Sequence, residues 1–180
     1  MASIRRLARL SIVLSVVVTL AGAKGTGGAP SAPPGANAAQ EVTVVGVFVD
    51  AHVHHPVIVL EGKRDKRTVA MVIGPAEATG IALPLQNVTP PRPLTHDLFV
   101  NLFARLNVKV DKVLVTDLRD NTYFATLYLT SAGGVIEMDA RPSDAIALAV
   151  RAKAPVYVDD RVFEKASRLP GPPAESGSRI

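Results

Sequence analysis

The sequence predicts an α+β domain with antiparallel or mixed sheets and packed helices, and three observations predict it. Strand-like runs of Val, Ile, Leu and Thr come in groups joined by short turns, as at Gly62 to Lys66 and Asp120-Asn121. Helical stretches follow those groups as blocks rather than alternating with single strands, which argues against a doubly wound sheet. The chain also matches itself. Val69 to Ala78 aligns with Ile136 to Ala145 at an offset of 67, placing Met71 on Met138, Pro75 on Pro142 and Glu77 on Asp144. An internal duplication of three strands followed by helices is therefore expected.

Taken in order, Glu41 to Asp50 is β-branched with partial alternation and reads as a strand. Pro56 to Leu60 and Thr68 to Ile73 are two more, joined by the charged turn Gly62 to Lys66. Pro75 to Gln86 is a small-residue helix, frayed at Pro84. Thr95 to Leu106 is a second helix with Thr95 as its cap and an apolar stripe at Leu98, Leu102, Phe103 and Leu106. Val108 to Leu118 and Tyr123 to Leu129 form a hairpin, because Asp120-Asn121 tolerates positive φ. Gly133-Gly134 turns into the strand Val135 to Asp139.

The most informative stretch follows, from Met138 to Val158. Pro142 suits a first helical position, where its missing N–H would have no partner. Ser143 and Asp144 fall in the first turn, where free N–H groups and the helix dipole favour oxygen and negative charge. The run from Ala145 is almost all Ala, Ile, Leu and Val, so this helix is expected to be buried on most sides, and Pro155 stops it. A short strand, Val156 to Val158, and a last helix from Asp159-Asp160 to about Arg168 complete the body.

The ends differ in composition. Arg5, Arg6 and Arg9 precede an apolar stretch of 11 residues, Leu10 to Leu20, and small residues follow at Ala21-Gly22-Ala23 and Ala36-Asn37-Ala38. Residues 1–23 thus read as an export signal, with cleavage as late as 38, so the protein is expected to be periplasmic or secreted. The alternative is a membrane anchor formed by an uncleaved leader, although the stretch is short against the ~20 residues of a spanning helix. Residues 24–40 read as a disordered Pro/Gly/Ala linker, 41–168 as the folded domain and 169–180 as a flexible tail. With no cysteine in the chain, thiol catalysis, disulfides and thiolate metal sites are excluded.

The leader also accounts for the formal charge of +4. Four of the 20 basic residues (Arg5, Arg6, Arg9 and Lys24) precede residue 39, and none of the 16 acidic ones does, so the body carries 16 of each. Net charge therefore offers no support for nucleic-acid binding by bulk phosphate neutralisation. No aromatic-plus-basic ladder for single strands is evident, since aromatics are 4% of the chain.

The polar candidates for chemistry are His96, Asp97, Asp117, Arg119, Glu137, Asp139, Arg141, Asp144 and Glu77. One histidine with several carboxylates can hold a hard divalent cation, which lowers the pKa of bound water and clamps phosphoryl oxygens. Against this, Asp97 and Asp144 lie where helix dipoles favour acids without any function. Asp139, at a strand end among apolar neighbours, calls for an ion-pair partner, Arg141 or Arg119. The His52, His54 and His55 group reads as solvated loop with incidental metal affinity.

These residues carry a resemblance to the bifunctional nuclease domain family, once a domain of unknown function. The shared pieces are Ile73-Gly74-Pro75-Ala76-Glu77-Ala78, Pro91-Arg92-Pro93-Leu94-Thr95-His96-Asp97-Leu98, Val115 to Ala125 and Asp139 to Val158, which together span the body in order. The family takes its name from plant members reported to cut both RNA and DNA. The resemblance implies a nuclease acting on those substrates, with His96, Asp97, Arg141 and Asp144 as catalytic groups. A divalent cation, Mg or Mn, would be held by Asp97, Asp139 and Asp144. Arg119 and Asp117 would bind substrate, with Glu77 a weaker candidate. Two departures from the family are expected: an export leader on a domain that is usually cytoplasmic, and no appended carboxyl-terminal second domain. The alternative is a non-catalytic homo-oligomeric binding module whose polar residues are helix caps and ion pairs.

Overall fold

A computed structural model describes residues 39–49 and 55–169, together with the backbone of 178–179. The expectations for the leader, for His52 and His54 and for most of the linker and tail fall outside those residues. The first meander is β1 (Gln40–Val49), β2 (Pro56–Gly62) and β3 (Thr68–Val72), followed by helices α1 (Pro75–Leu85) and α2 (Thr95–Arg105). The second is β4 (Lys109–Arg119), β5 (Thr122–Ser131) and β6 (Gly134–Ala140), followed by α3 (Pro142–Ala152), β7 (Val156–Val158) and α4 (Asp160–Ala166). A two-residue strand, β8 (Ser178–Arg179), pairs with β1.

The strands join into one sheet in the order β3-β2-β1-β7-β4-β5-β6. Both meanders are antiparallel, and β7 links them by running antiparallel to β1 and parallel to β4. This is the expected α+β class with a mixed sheet, and each half is three strands followed by a helix with proline at its first position. The sheet is strongly curled. Tyr123 Oη on β5 donates to the Ala70 carbonyl on β3 at 3.2 Å, although four strands separate those two in the sheet order.

Helix α3 lies at the centre, packed against α1, α2, β4 and β5. Ala145, Ile146, Ala147 and Ala149 are fully buried, because small side chains let neighbouring backbones approach on several sides at once. The sheet supplies Val113, Val115, Leu127, Leu129, Val156 and Val158 to the same core. Asp120 and Asn121 adopt φ of 48° and 58°, the two-residue turn that suits a right-twisted hairpin. Helices α1, α2 and α3 each end just before a left-handed residue, Asn87, Asn107 or Lys153, with a backbone bond closing over the last turn.

Three expectations need correction. Helix α2 is capped at Leu94, with Thr95 already its first helical residue; the capping oxygen comes from Asp97, whose Oδ2 accepts the Leu94 N–H at 2.8 Å. The stripe of α2 faces outward, with Leu98, Leu102 and Leu106 48–62% exposed, while Phe103 alone of the four packs on the core. Strand β6 is exposed along nearly its whole length, so Asp139 is solvated and needs no buried partner. Among the described residues, no helix is long and apolar enough to cross a membrane.

Candidate functional site

The first turns of α1 and α3 meet at Arg141. This residue caps α3, and the duplication places Gly74, the cap of α1, at the equivalent position. Glu77 and Asp144 are the third residues of their helices, where the dipole favours a carboxylate. Both turn toward the same guanidinium. Arg141 Nε donates to Asp144 Oδ2 at 2.6 Å, and Arg141 Nη2 donates to Glu77 Oε1 at 2.5 Å. A Cβ on Gly74 would stand 2.2 Å from Glu77 Oε2, so a side chain there would oblige the Glu77 carboxylate to move.

Asp144 also receives the second residue of α2. His96 Nε2 lies 3.2 Å from Asp144 Oδ1, and the imidazole is nearly enclosed while Asp144 is about one-third exposed. Glu77, Arg141, Asp144 and His96 thus form one chain of contacts across the starts of three helices. Burial alone would raise the Asp144 carboxyl, but bonds from Arg141 and His96 and the Arg141 charge hold it below the ordinary value. The hydrogen bonds that it donates to Asp144 and then to Glu77 push the Arg141 guanidinium further up, so it is permanently charged.

Beside this chain lies a second network that sequence reasoning missed. Arg151, near the end of α3, has a side chain only 7% exposed. Its Nε donates to Asp97 Oδ1 at 2.6 Å, and its Nη1 reaches the carbonyls of Ala147 and Gly80. The Gly80 carbonyl is open for a physical reason. Its helical partner would be the N–H of residue 84, and Pro84 has none. Burial would raise Asp97, yet the bonds from Arg151 and from the Leu94 N–H bring it below the usual carboxylate range. Asp97 is thereby a cap and an ion-pair partner. The Gly80–Pro84 spacing was the available signal, but it could not name its partner 71 residues away.

Gly80 has a second purpose, because a Cβ there would sit 2.7 Å from His96 Nδ1. Ala in place of Gly inside a helix ordinarily stabilises by about 0.5–1 kcal/mol. Gly80→Ala is expected to do the reverse, costing about 1–3 kcal/mol as in an overpacked core. Chemical denaturation would check the sign, and an unchanged or raised midpoint would show that the ring can retreat.

The remaining candidates separate from this group. Asp139 pairs in register with Thr126, on the sheet face opposite Met138, Leu127 and the core, so the strand pleat turns it away from α3. Arg141 bonds Glu77 and Asp144 instead of Asp139. Asp117 is held by Lys165 at 2.6 Å, and this bond, partly offset by burial, keeps its carboxyl low. Arg119 lies 4.0 Å above the Phe124 ring, and Lys112 lies 4.6 Å from the Tyr128 ring. Phe124 and Tyr128 are four apart on β5 and share a face, so two aromatic–basic pairs do exist on the sheet. They are formed across strands past two irregularities in register, which hid them in the sequence.

The expected shared cation does not fit these donors. Asp97 is engaged by Arg151, Asp144 by Arg141 and His96, and Asp139 points to the other side of the sheet. Among the described residues, no three His, Asp or Glu side chains gather as a metal site would require.

The comparisons bear on the same residues. A family model described as the bifunctional nuclease domain matches residues 58–170, a span that contains every residue of both networks. An uncharacterized protein of Mycobacterium tuberculosis is 40% identical over 129 residues, covering 72% of this chain and 77% of that one. Bifunctional nuclease 1 of Oryza sativa subsp. indica is 26% identical over 116 residues, 63% of this chain and 35% of its own length. Bifunctional nuclease 1 of Arabidopsis thaliana is 32% identical over 133 residues, 60% and 41% respectively. The chain therefore spans well under half of these plant relatives.

Proposed function

The chain belongs to the bifunctional nuclease domain family, and on that premise we propose that it hydrolyses phosphodiester bonds in RNA and DNA. The observation that carries the reading is the Arg141 guanidinium, two-thirds exposed, held by two carboxylates next to a His–Asp pair. Guanidinium matches phosphate geometry bidentately, so a phosphate competes with Glu77 and Asp144 for the same donors. Charge developing on the phosphoryl oxygens is met by Arg141 and by the N-terminal ends of α1 and α3. His96 and Asp144 are the proton-handling pair, with the carboxylate on the solvent side and the imidazole behind it. Arg119 on Phe124 is exposed at the same end of the sheet but, like Asp139, on the face turned away from α3, so no contact with the same phosphate is assigned to it.

No step is assigned to a metal, because Asp97 and Asp144 are engaged by arginines and Asp139 lies on the other face of the sheet. Action outside the cytoplasm rests on the Arg5-Arg6 and Leu10–Leu20 leader alone. The test uses the full chain on single-stranded RNA and DNA, with a parallel series in EDTA to read cation dependence separately. Cleavage is expected with the wild-type chain and is expected to fall sharply in Asp144→Asn. Cleavage no greater than that of Asp144→Asn would overturn the proposal.

A further inference from the structure

Two short strands share one edge of β1. Strand β2 pairs with β1 from Val42 to Val49, so β8 uses the opposite edge, the one that β7 takes at Gln40 to Val42. Strands β7 and β8 thus lie end to end. Beside β1 there is a cavity of about 400 Å³, with Val44 to Val47 on one side and Ala82, Leu85 and Gln86 at the end of α1 on the other. Side chains of a strand alternate between its faces, so a cavity lined by four successive residues opens at the strand's edge. Strand β2 holds the other edge there, which places the cavity on the side of β7 and β8.

Register gives the next position of the tail. Ser178 stands opposite Val49 and Arg179 opposite Phe48, and one further step sets Ile180 opposite Val47. Residues opposed across antiparallel strands turn to the same face. Val47 is 2% exposed and belongs to the core, so that face is the inner one, against which α1 packs. Composition points the same way. Residues 170–180 are otherwise Pro, Gly, Ser, Ala, Glu and Arg, and Ile180 is their single branched aliphatic. Two backbone pairs do little against the entropy of ordering such a segment, whereas burying an aliphatic side chain adds a term that can offset it.

We propose that Ile180 is the anchor of the tail, its side chain filling the cavity between β1 and the end of α1, with β8 as the strap that delivers it. The occupant is this chain's own segment, continuous with a pairing already formed at Phe48 and Val49. Helix α1 is then tied at both ends, by Glu77 to Arg141 at its start and by the tail against Leu85 at its finish. The nuclease reading uses the start of α1 alone, so the strap stands apart from it.

The chain has no cysteine of its own, so cross-linking reads the register directly. In the full chain, Val47→Cys with Ile180→Cys should close a disulfide within one molecule under mild oxidation, since residues opposed in an antiparallel pair lie within disulfide reach. Phe48→Cys with Ile180→Cys, whose side chains turn to opposite faces, should stay reduced. Amide exchange at residues 178–179 tests the anchor without altering the core. It should rise roughly tenfold in Ile180→Asp and stay near the wild-type rate in Ile180→Val. A Val47 link that is missing from a folded variant or forms only between two copies, equal coupling through Phe48→Cys, or exchange unmoved by Ile180→Asp would overturn the proposal.

Discussion

Arg151→Met is expected to lower the unfolding free energy by about 3–5 kcal/mol, the usual cost of removing one partner from a buried ion pair. The side chain holds α3 to Asp97 of α2 and to the Gly80 carbonyl of α1 while bonding its own helix at Ala147. Its loss leaves the partly exposed Asp97 carboxylate with the Leu94 N–H alone and removes the donor to the Gly80 carbonyl. Urea denaturation monitored by circular dichroism measures the effect. A second substitution sharpens the reading. Pro84→Ala restores an N–H four residues after Gly80 and returns that carbonyl to its own helix. The double variant should therefore lose less than the sum of the two single changes, and strict additivity would show that the Gly80 carbonyl does not depend on Arg151.

Arg141→Ala is expected to reduce nucleic-acid cleavage by about 10²–10³-fold, the scale seen when one preorganised donor to a developing oxyanion is removed. The fall should appear in kcat, because charge on the phosphoryl oxygens grows toward the transition state. Arg141→Lys should recover only a part, since an ammonium cannot give two parallel bonds to one phosphate. Stability is a poor guide to this residue, which is two-thirds exposed. A variant that cleaves at the wild-type rate would remove Arg141 from the chemistry and leave it as the tie between α1 and α3.

How much of this was legible in the sequence follows from the range of each interaction. The α3 block could be read because proline, first-turn acid, small-residue run and closing proline are all local. The β4–β5 turn was equally plain, since Asp120-Asn121 states its own backbone preference. What could not be read was orientation. Helical spacing in α2 announces an apolar stripe, but periodicity is silent about whether the stripe meets the core or the solvent. Likewise Asp139 and Arg141 look like partners two apart, and the strand pleat sends Asp139 to the far face. His96, Asp97 and Asp144 were visible as candidates, yet their sorting into a His–Asp pair and a capped ion pair depended on contacts 48 and 54 residues apart. Arg151 carried no local signal at all.

The meeting of α1 and α3 has one more consequence. Glu77 and Asp144 are equivalent acids in the first turns of α1 and α3, but the position of Arg141 is occupied at α1 by Gly74, where an added methyl group would oblige the Glu77 carboxylate to shift. The two helix starts are therefore unlike where they meet, with a guanidinium at the cap of α3 and none at the cap of α1. On the proposed function, a phosphate bound at Arg141 would meet a side chain with its own charge on the α3 side and a bare glycine on the α1 side.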